Sequence, residues 1–416
     1  KTVFDVDAES FAEMMKEFAS LGVSYLGGCC GTTPAHIKAL VSACKDAESF
    51  IPQKEKVTRV SSYSKTVNFG KKPIIIGERI NPTGKKLFKE ALRNHDIGYI
   101  INEGVSQKER GAHILDVNVG LPEIDENEMM QSAVEALQGV TDLPLQIDTA
   151  DITAMETALR MYNGKPMLNS VNGKEESMNS VFPLVKKYGA VVVCLCLDEN
   201  GIPKTADGRI EIAKKIIAKA HEYGIDKSEL VFDALAMTVS TDSHSANETL
   251  KAVKYLNETL GVKTILGVSN ISFGLPEREI VNSAFFNMAL SNGLSAGIIN
   301  PLSEAMMNTY HAFLALRGIA ENCESYIANV SKTQVAQPVS KEVDLKTAII
   351  KGMKQKAVEC TTELVKTKDS LEIINGEIMP ALDFVGEGFE KNRIFLPQLL
   401  MSAESAKASF EIIKAS

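Results

Sequence analysis

The stretch PIIIGERI, residues 73–80, is a short β-branched run that ends in polar residues. Seven further runs of this kind follow it, each separated from the next by enough chain for one helix. They are HILDVNVG (113–120), LPLQIDT (143–149), PMLNSVNG (166–173), AVVVCLCLD (190–198), LVFDAL (230–235), KTILGVSN (263–270) and LSAGIINP (294–301). The repetition predicts eight strands that alternate with helices.

The apolar character of these runs indicates the kind of sheet they form. Strands that are almost continuously apolar are buried on both faces, which is typical of a parallel sheet covered by helices. Eight βα units over about 250 residues match a TIM (β/α)8 barrel in number and size. A doubly wound sheet is the alternative. We therefore expect a barrel over residues 73–328.

The flanking segments have different patterns. Residues 1–51 read as helix, short strand (GVSYLGG, 22–28) and helix, an α-β-α remnant of another α/β barrel. Residues 52–72 and 329–342 are polar without apolar periodicity, and we interpret both as linkers. Residues 343–416 have apolar positions at helical spacing, which predicts a small all-α four-helix bundle whose second helix is broken at Pro380.

Composition excludes some classes of function. The chain has 416 residues, 44% hydrophobic composition and a net charge of -8, so two or three folded units are expected and no basic surplus attracts nucleic acid. The sequence contains no run of about 18 uncharged apolar residues, so no membrane span is predicted. We expect a cytoplasmic protein with no nucleic-acid or membrane partner.

The seven cysteines do not have the density of a disulfide scaffold. Cys194 and Cys196 lie two apart on a predicted strand, so both point the same way, and we interpret them as core residues. Cys29 and Cys30 are adjacent, between glycines in GGCCG, and the residues alone leave open a metal site, a redox pair or a tight turn that contains two thiols.

Polar residues recur at the carboxyl ends of the predicted strands. In a (β/α)8 barrel these ends carry the active site. The set is rich in acceptors and amides, and it lacks a cluster of Lys, Cys or His, which argues against a phosphate or metal site. It suits a neutral heterocycle that has both N–H donors and ring acceptors. The members are Glu78, Arg79, Asn81, Asp116, Asn118, Asp148, Asn169, Asp198, Asp233, Ser269, Asn270 and Asn300.

Six motifs in this region resemble a known family. They are IIIGERINPTGKK (74–86), ILDVNVG (114–120), LQIDT (145–149), LNSVNG (168–173), VFDAL (231–235) and LGVSNISFGLPERE (266–279). In order, they resemble the pterin-binding barrel of the cobalamin-dependent methionine synthase family and of the related methyltetrahydrofolate:corrinoid methyltransferases. The resemblance covers roughly residues 73–325.

The flanks resemble the methionine synthase family in particular. GGCCGTTPAHI (27–37) is similar to the end of its zinc-dependent homocysteine domain, and residues 376–407 are similar to the helical cap that covers cobalamin. The chain also begins at Lys1 rather than Met, so we expect an internal fragment of a longer enzyme. No D-x-H-x-x-G motif for the lower cobalt ligand occurs, which implies that the domain holding cobalamin is absent.

The resemblance implies roles for individual residues. In the family, two aspartates and an asparagine grip the pterin, and these match Asp148, Asn169 and Asp233. Asn270 matches the asparagine near the methylated ring nitrogen, so Asn270 and Asp233 are the candidate catalytic residues. Further substrate-binding candidates are Glu78, Asp116, Asn118 and Arg278. An ion pair with Arg79 is the alternative for Glu78, and a partner-domain contact or a surface ion pair is the alternative for Arg278.

The implied reaction is methyl transfer from 5-methyltetrahydrofolate to cob(I)alamin, part of methionine synthesis from homocysteine. Phe395 and Leu399 are the implied cobalamin-facing residues, with bundle core as the alternative. Cys29 and Cys30 match two of three zinc ligands of the intact enzyme, a site that we expect to be empty here. The implied partner is the cobalamin-binding domain of the same enzyme.

Two other functions remain open at this stage. A synthase of the dihydropteroate type shares the barrel and the pterin grip, although the flanking segments count against it. A non-catalytic folate-binding module is the second alternative for the isolated fragment.

Overall fold

The computed structural model describes residues 4–48, 55–319, 326, 344–390, 394 and 396–415. The chain divides into two compact units, Lys1–Lys56 and Val57–Ser416. In the described residues, no helix is long and apolar enough to cross a membrane.

The first unit contains two helices, α1 (Ala8–Ser20) and α2 (Pro34–Ala43). Asp7 caps α1 by accepting a hydrogen bond from the Ser10 backbone N–H at 2.8 Å. The strand predicted at residues 22–28 does not form, and Tyr25 within it is 95% exposed. A strand needs a hydrogen-bonded neighbour, and the described part of this unit contains only helices and loops. The strand prediction is therefore wrong for this unit.

The second unit is built on a closed barrel. Two short antiparallel strands precede it, β1 (Arg59–Ser61) and β2 (Thr66–Asn68). The eight barrel strands are β3 (Ile74–Ile80), β4 (Ile114–Val117), β5 (Leu145–Asp148), β6 (Met167–Asn172), β7 (Val191–Leu195), β8 (Leu230–Asp233), β9 (Lys263–Gly267) and β10 (Ala296–Ile299). All pair in parallel, and β10 closes the ring by pairing with both β9 and β3. The predicted (β/α)8 barrel is thus confirmed.

Helices surround the barrel strands. They are α3 (Lys86–Arg93), α4 (Ile97–Glu109), α5 (Glu126–Val140), α6 (Ile152–Met161), α7 (Glu175–Tyr188), α8 (Ala206–Glu222), α9 (Ser245–Glu258), α10 (Arg278–Ser291) and α11 (Glu304–Leu316). The main apolar core lies between these helices and the strands. A second core fills the barrel interior.

The residues predicted as a linker at 52–72 include the β1–β2 hairpin. Val60 and Phe69 are buried together with Ile74, Ile114 and Val191 from the amino ends of barrel strands. The Tyr162 hydroxyl donates to the Ser61 carbonyl oxygen at 2.9 Å. Residues 57–70 therefore close the amino-terminal end of the barrel, and their interpretation as a linker is corrected.

The bundle has its own core. Its helices are α12 (Leu345–Ile350), α13 (Lys354–Leu364), α14 (Ser370–Ile373), α15 (Met379–Glu390) and α16 (Leu396–Ala415). The predicted break at Pro380 does not occur, because a π-helical turn, Ile374–Ile378, joins α14 to α15. Proline has no N–H to bond back to the preceding turn, and the wider π turn accommodates it without ending the helix.

Candidate active site

The polar residues predicted at strand ends lie at the carboxyl-terminal rim of the barrel. Register places Asp148 directly beside Asn169 on neighbouring strands β5 and β6. Two strands further on, Asp233 of β8 pairs with Leu195 of β7. The ends of parallel strands share one face, so the fold gathers side chains that are far apart in sequence. The structure therefore brings this group together.

Asp148 and Asn118 contact each other at the rim. The Asn118 Nδ2 donates to Asp148 Oδ2 at 2.9 Å, and Asn118 Oδ1 accepts from the Gly120 backbone N–H at 3.0 Å. Burial raises the pKa of Asp148 to about 6, against the opposing effect of the Asn118 hydrogen bond. Asn118 thus fixes one carboxylate oxygen of Asp148.

Asp116 lies deeper in the barrel than the other acidic residues of the rim. It is 3% exposed, and its Oδ1 accepts a 2.6 Å hydrogen bond from Nε2 of the fully buried Gln146. Burial, followed by the charge of Asp148, raises the pKa of Asp116 well above its ordinary value. Sequence reasoning missed Gln146, although a polar residue inside the apolar run LPLQIDT was a signal for it.

Asp233 is almost completely buried at the end of β8. Its Oδ1 accepts a 2.6 Å hydrogen bond from the Leu235 backbone N–H. Burial raises its pKa to about 7, and the Leu235 hydrogen bond opposes that rise. A carboxyl with this pKa exists in both protonation states near neutral pH, which suits a group that binds or exchanges a proton.

Glu78 links strand β3 to the segment that carries Asn270. The Ser269 hydroxyl lies 3.2 Å from each Glu78 carboxylate oxygen, and burial raises the pKa of Glu78. The alternative ion pair with Arg79 does not form, because Arg79 makes two hydrogen bonds to Glu103, at 3.0 and 2.9 Å. Glu78 therefore faces the site rather than the neighbouring arginine.

Asn270 lies in the 3-10 segment Val268–Ser272 that follows β9, and it is exposed at the rim. Its Nδ2 lies 3.0 Å from the point where a β-carbon on Gly267 would stand, so the absence of a side chain at Gly267 leaves room for the amide. An exposed amide at the rim is accessible to a ligand.

Arg278 holds the same segment from the start of α10. Its Nη2 donates to the Ser269 carbonyl oxygen at 2.7 Å, and its Nε donates to Ser272 Oγ at 3.0 Å. Its guanidinium also lies 4.5 Å from the ring centroid of Phe273. These contacts give Arg278 a structural tie to the Asn270 segment, and its contact with a folate tail stays a prediction.

Lys85 is a rim residue that sequence reasoning missed. Its Nζ donates to the backbone carbonyl oxygens of Glu78 at 3.0 Å and Arg79 at 2.8 Å. Burial lowers the pKa of Lys85 to about 8. Contacts to backbone carbonyls leave no spacing pattern in a sequence, so nothing in NPTGKK distinguishes Lys85 from Lys86.

A cavity of about 420 Å3 opens beside Asp148 and Asn169. Its lining also includes Met155 of α6 and Val181 of α7, so it extends between these two helices, and neither Asp233 nor Asn270 lines it. This volume lies within the range of small-molecule sites, which combine apolar walls with a few placed polar groups. The rim therefore offers a pocket of suitable size next to the predicted pterin-binding pair.

The predicted zinc ligands lie in the first unit, in the loop between α1 and α2. Cys29 and Cys30 are exposed, with their Sγ atoms 3.7 Å apart. Zinc in proteins takes four ligands, of which a catalytic site supplies three from the protein. Within the described residues no group of three or more His, Cys, Asp or Glu side chains is arranged to hold a metal. The two thiols alone do not complete a zinc site.

The cobalamin-facing candidates belong to the bundle. Leu399 is half-buried on α16, and Phe395 lies outside the described residues. Large apolar side chains of the bundle are nevertheless exposed, which fits an additional apolar partner. They are Leu371, Met379, Phe384, Phe389 and Leu400.

Three family models match the chain. Residues 77–300 match the pterin binding enzyme family, residues 342–414 match the B12 binding domain, and residues 1–44 match homocysteine S-methyltransferase. The order of the three matches is the order that the sequence motifs predict.

Two curated relatives resemble nearly the whole chain. Methionine synthase of Mycobacterium leprae (strain TN) is 31% identical over 446 residues, and that of Mycobacterium tuberculosis (strain ATCC 25618 / H37Rv) is 29% identical over 437 residues. Each alignment covers 97% of this chain and 36% of the relative. The chain thus spans about a third of the length of these relatives.

Solved structures share the barrel. Dihydropteroate synthase of Xanthomonas albilineans with 4-aminobenzoic acid aligns with a TM-score of 0.51 at 20% identity, covering 63% of this chain and all of that one. Yersinia pestis dihydropteroate synthase with a pterine-sulfa conjugate aligns with a TM-score of 0.50 at 16% identity, covering 63% and 99%. At these identities the likeness shows the fold alone.

The pterin-binding match runs over residues 77–300, more than half of the 416-residue chain. It includes seven of the eight barrel strands whole and the carboxyl end of the first, and it contains every rim carboxylate described above. The chain belongs to the pterin binding enzyme family.

Proposed function

We propose that this chain binds 5-methyltetrahydrofolate at the barrel rim and transfers the N5 methyl group to cob(I)alamin, as the folate half-reaction of methionine synthesis from homocysteine. The observation that carries the proposal is the B12 binding domain match at residues 342–414, in the same chain as a pterin-binding barrel. The resemblance of nearly the whole chain to two methionine synthases supports it.

The acidic rim residues are the proposed pterin grip. A pterin presents a 2-amino group beside a ring N–H, and a carboxylate accepts such a donor pair in two parallel bonds. Asp148 and Asn169 stand side by side beside the cavity, and Asp233 lies two strands away. Asp116 and Asn118 act through neighbours, since their contacts are to Gln146 and Asp148.

Asn270 is the proposed residue for activating the methyl group. A methyl group on a tertiary amine leaves only when the nitrogen gains proton character. A hydrogen bond from an amide or from water can supply this and strengthens as charge develops. Asp233 is the second proposed catalytic residue, and because burial raises its pKa to about 7, its charged form is expected to be lost as pH falls through neutrality.

The bundle is the proposed contact for cobalamin, which supplies the cobalt that receives the methyl group. The exposed apolar side chains of Phe389 and Leu400 are candidates for contact with a large macrocycle, and Phe395 and Leu399 are the candidates that the sequence provides. We propose that the intact enzyme brings its cobalamin-binding domain to this surface, in the cytoplasm, with no nucleic-acid partner.

Cys29 and Cys30 are proposed zinc ligands of the intact enzyme only. Because two thiols do not complete a zinc site, we expect the purified chain to contain far less than one zinc per molecule. Elemental analysis checks this expectation. One zinc per chain that is lost in a Cys29→Ser, Cys30→Ser variant would overturn it.

A product assay separates the proposal from its alternatives. The full chain is incubated with 5-methyltetrahydrofolate and cob(I)alamin, and separately with 4-aminobenzoate and an activated dihydropterin. Mass spectrometry is expected to detect methylcobalamin and tetrahydrofolate in the first mixture. A pteroate product in the second mixture alone would support the synthase. Folate binding with no product would support the non-catalytic module.

A further inference from the structure

Arg209 is a charged residue buried away from the rim cavity. It lies in the first turn of α8, is 1% exposed and is among the largest fully buried side chains of the chain. Its Nε donates to the Pro203 carbonyl oxygen at 3.0 Å. Its Nη1 donates to Ala234 O at 2.9 Å, Leu235 O at 3.1 Å and Thr249 Oγ1 at 2.8 Å. Every one of these acceptors is uncharged.

Two of the three carbonyls that Arg209 binds, those of Ala234 and Leu235, belong to the turn directly after Asp233. Leu235 in this turn has φ 64°, a left-handed conformation that residues with a β-carbon rarely adopt. The Leu235 N–H in turn donates to Asp233 Oδ1 at 2.6 Å. Thr249 Oγ1 also lies 3.1 Å from the Leu235 carbonyl oxygen, so the side chains of Arg209 and Thr249 both bond to the backbone of this turn. The guanidinium therefore fixes the backbone that orients the Asp233 carboxylate.

The charge of Arg209, like its hydrogen bonds to the turn, favours the ionised carboxylate of Asp233. The positive charge of Arg209 opposes the burial that raises the pKa of Asp233, and a Gly267 backbone N–H opposes it as well. The other titratable groups that face this pair are Cys196, whose pKa burial raises, and Glu248 and Asp242, which face Arg209 from α9 and the loop before it. Arg209 is the cation nearest to Asp233 in this group.

We propose that Arg209 is a positioning residue that orients the Asp233 carboxylate and favours its charged form, so that pterin binding depends on an arginine that does not touch the ligand. The proposal rests on the proposed function, in which Asp233 grips the pterin. It predicts effects on Asp233 itself that are measurable without any ligand.

Two variants and a control test this role. Arg209→Met keeps an unbranched apolar stem but removes the charge and the donors. Arg209→Lys keeps the charge but gathers its donors on one nitrogen in place of the planar guanidinium fork. Arg160→Met makes the same change at a side chain that is 71% exposed on α6. Circular dichroism establishes that each variant is folded.

The first measurement is the titration of Asp233 by NMR of 13C-labelled aspartate carboxyls in the full chain, assigned with Asp233→Asn. In Arg209→Met the pKa of Asp233 is expected to rise by about one pH unit or more, because the opposing charge is gone. In Arg209→Lys and Arg160→Met it is expected to stay near that of the parent. A folded Arg209→Met chain with an unchanged Asp233 titration would overturn the proposal.

The second measurement is the affinity for 5-methyltetrahydrofolate across the pH range around the Asp233 pKa of about 7. The loss of affinity on acidification is expected to begin at higher pH in Arg209→Met. Arg209→Lys is expected to bind roughly tenfold more weakly than the parent, since a hydrogen bond to a charged or buried group is lost. An Arg209→Lys variant that binds folate as tightly as the parent would contradict the positioning role. If Arg209→Met does not fold, the affinity of Arg209→Lys alone tests the proposal.

The two readouts separate the proposals. A parent chain that binds no folate, in which Arg209→Met still raises the pKa of Asp233, refutes the proposed function and supports the role of Arg209. Folate binding that is insensitive to both Arg209 variants refutes the role of Arg209 and leaves the proposed function standing.

Discussion

At the scale of single residues, the site is built from carboxylates whose burial works against their charge. Asp116, Asp148 and Asp233 all have raised pKa values, and burial is the largest cause in each case. Buried charges that lack full compensation cost stability, so such residues persist where binding or catalysis needs them. Burial of these acidic side chains is therefore expected to lower the free energy of unfolding of the ligand-free chain by a measurable amount.

The stability of the ligand-free chain is expected to fall as pH rises. The folded-state pKa of Asp233 is about 7, above its ordinary value of 3.8, so its contribution is fully present below about pH 4 and is lost as pH rises through 7. Asp233→Asn is expected to raise the free energy of unfolding at pH 8 by about 2–4 kcal/mol. Urea unfolding at pH 5 and pH 8 checks this, and an equal pH dependence in parent and variant would refute it.

Asn270→Ala tests the proposed activation of the methyl group. Removing one preorganised donor that acts on developing charge is expected to lower the methyl-transfer rate by about 100-fold. Asn292→Ala is the matched control, because its Nδ2 bonds to Met288 O on an exposed helix end. Rapid-mixing measurement of the rate and of folate affinity decides the matter. If both stay at the parent's values, Asn270 has no part in the reaction.

Many polar residues of the rim are predictable from the sequence, but the residues that hold the rim backbone in place are not. Asp148, Asn169 and Asp233 end apolar runs, and that position alone marks them as rim residues. Lys85 and Arg209 act through backbone carbonyls, which are contacts that exist only once loops and helices are folded. Arg209 reads in sequence as one more cation on the amphipathic helix α8, and only its burial identifies it.

At the scale of elements, the barrel strands are predictable because each is buried on both faces. Val191, Val192 and Val193 in β7 are all buried, and such runs are the signal of a parallel strand. The β1–β2 hairpin lacks that signal, since each of its three-residue strands buries a single side chain at its centre. Its structure comes from the barrel end against which it packs.

Phe69→Ala tests whether the hairpin segment is part of the barrel fold. Phe69 is 2% exposed in the barrel-interior core, so its truncation is expected to lower the free energy of unfolding by about 3–5 kcal/mol. Leu316→Ala, at a side chain that is 85% exposed, is the control. Folate affinity is expected to stay unchanged, because Phe69 lies at the end of the barrel opposite the rim. A loss below about 1 kcal/mol would support the original linker interpretation.

At the scale of the whole molecule, barrel and bundle have separate cores. Among the residues that the structure describes, the buried core of the bundle draws on residues from 345 to 413, and the two barrel cores draw on residues from 60 to 314. Helix α16 packs against α5, where Met401 lies beside Gly139, and an ion pair between Lys351 Nζ and Glu109 Oε2 at 3.3 Å joins the bundle to α4. Although barrel and bundle lie in one compact unit, their apolar cores do not merge, and we predict on this ground that the two unfold separately.

Ile373→Ala tests that independence. Ile373 is fully buried in the bundle core, so its truncation is expected to cost the bundle about 2–5 kcal/mol. Leu371→Ala, on the same helix at a side chain that is 66% exposed, is the control. Calorimetry is expected to show one transition moved to lower temperature and the other unchanged. A single cooperative transition that moves as a whole would mean that barrel and bundle unfold as one body.

The most direct test of the central claim is a single-turnover reaction of the full chain with 5-methyltetrahydrofolate and cob(I)alamin, followed by the change in cobalt absorbance. The account predicts conversion to methylcobalamin at a rate that rises with the concentration of the chain and falls about 100-fold in Asn270→Ala. A cobalt spectrum that changes no faster than in the protein-free mixture, with folate bound to the chain, would contradict it.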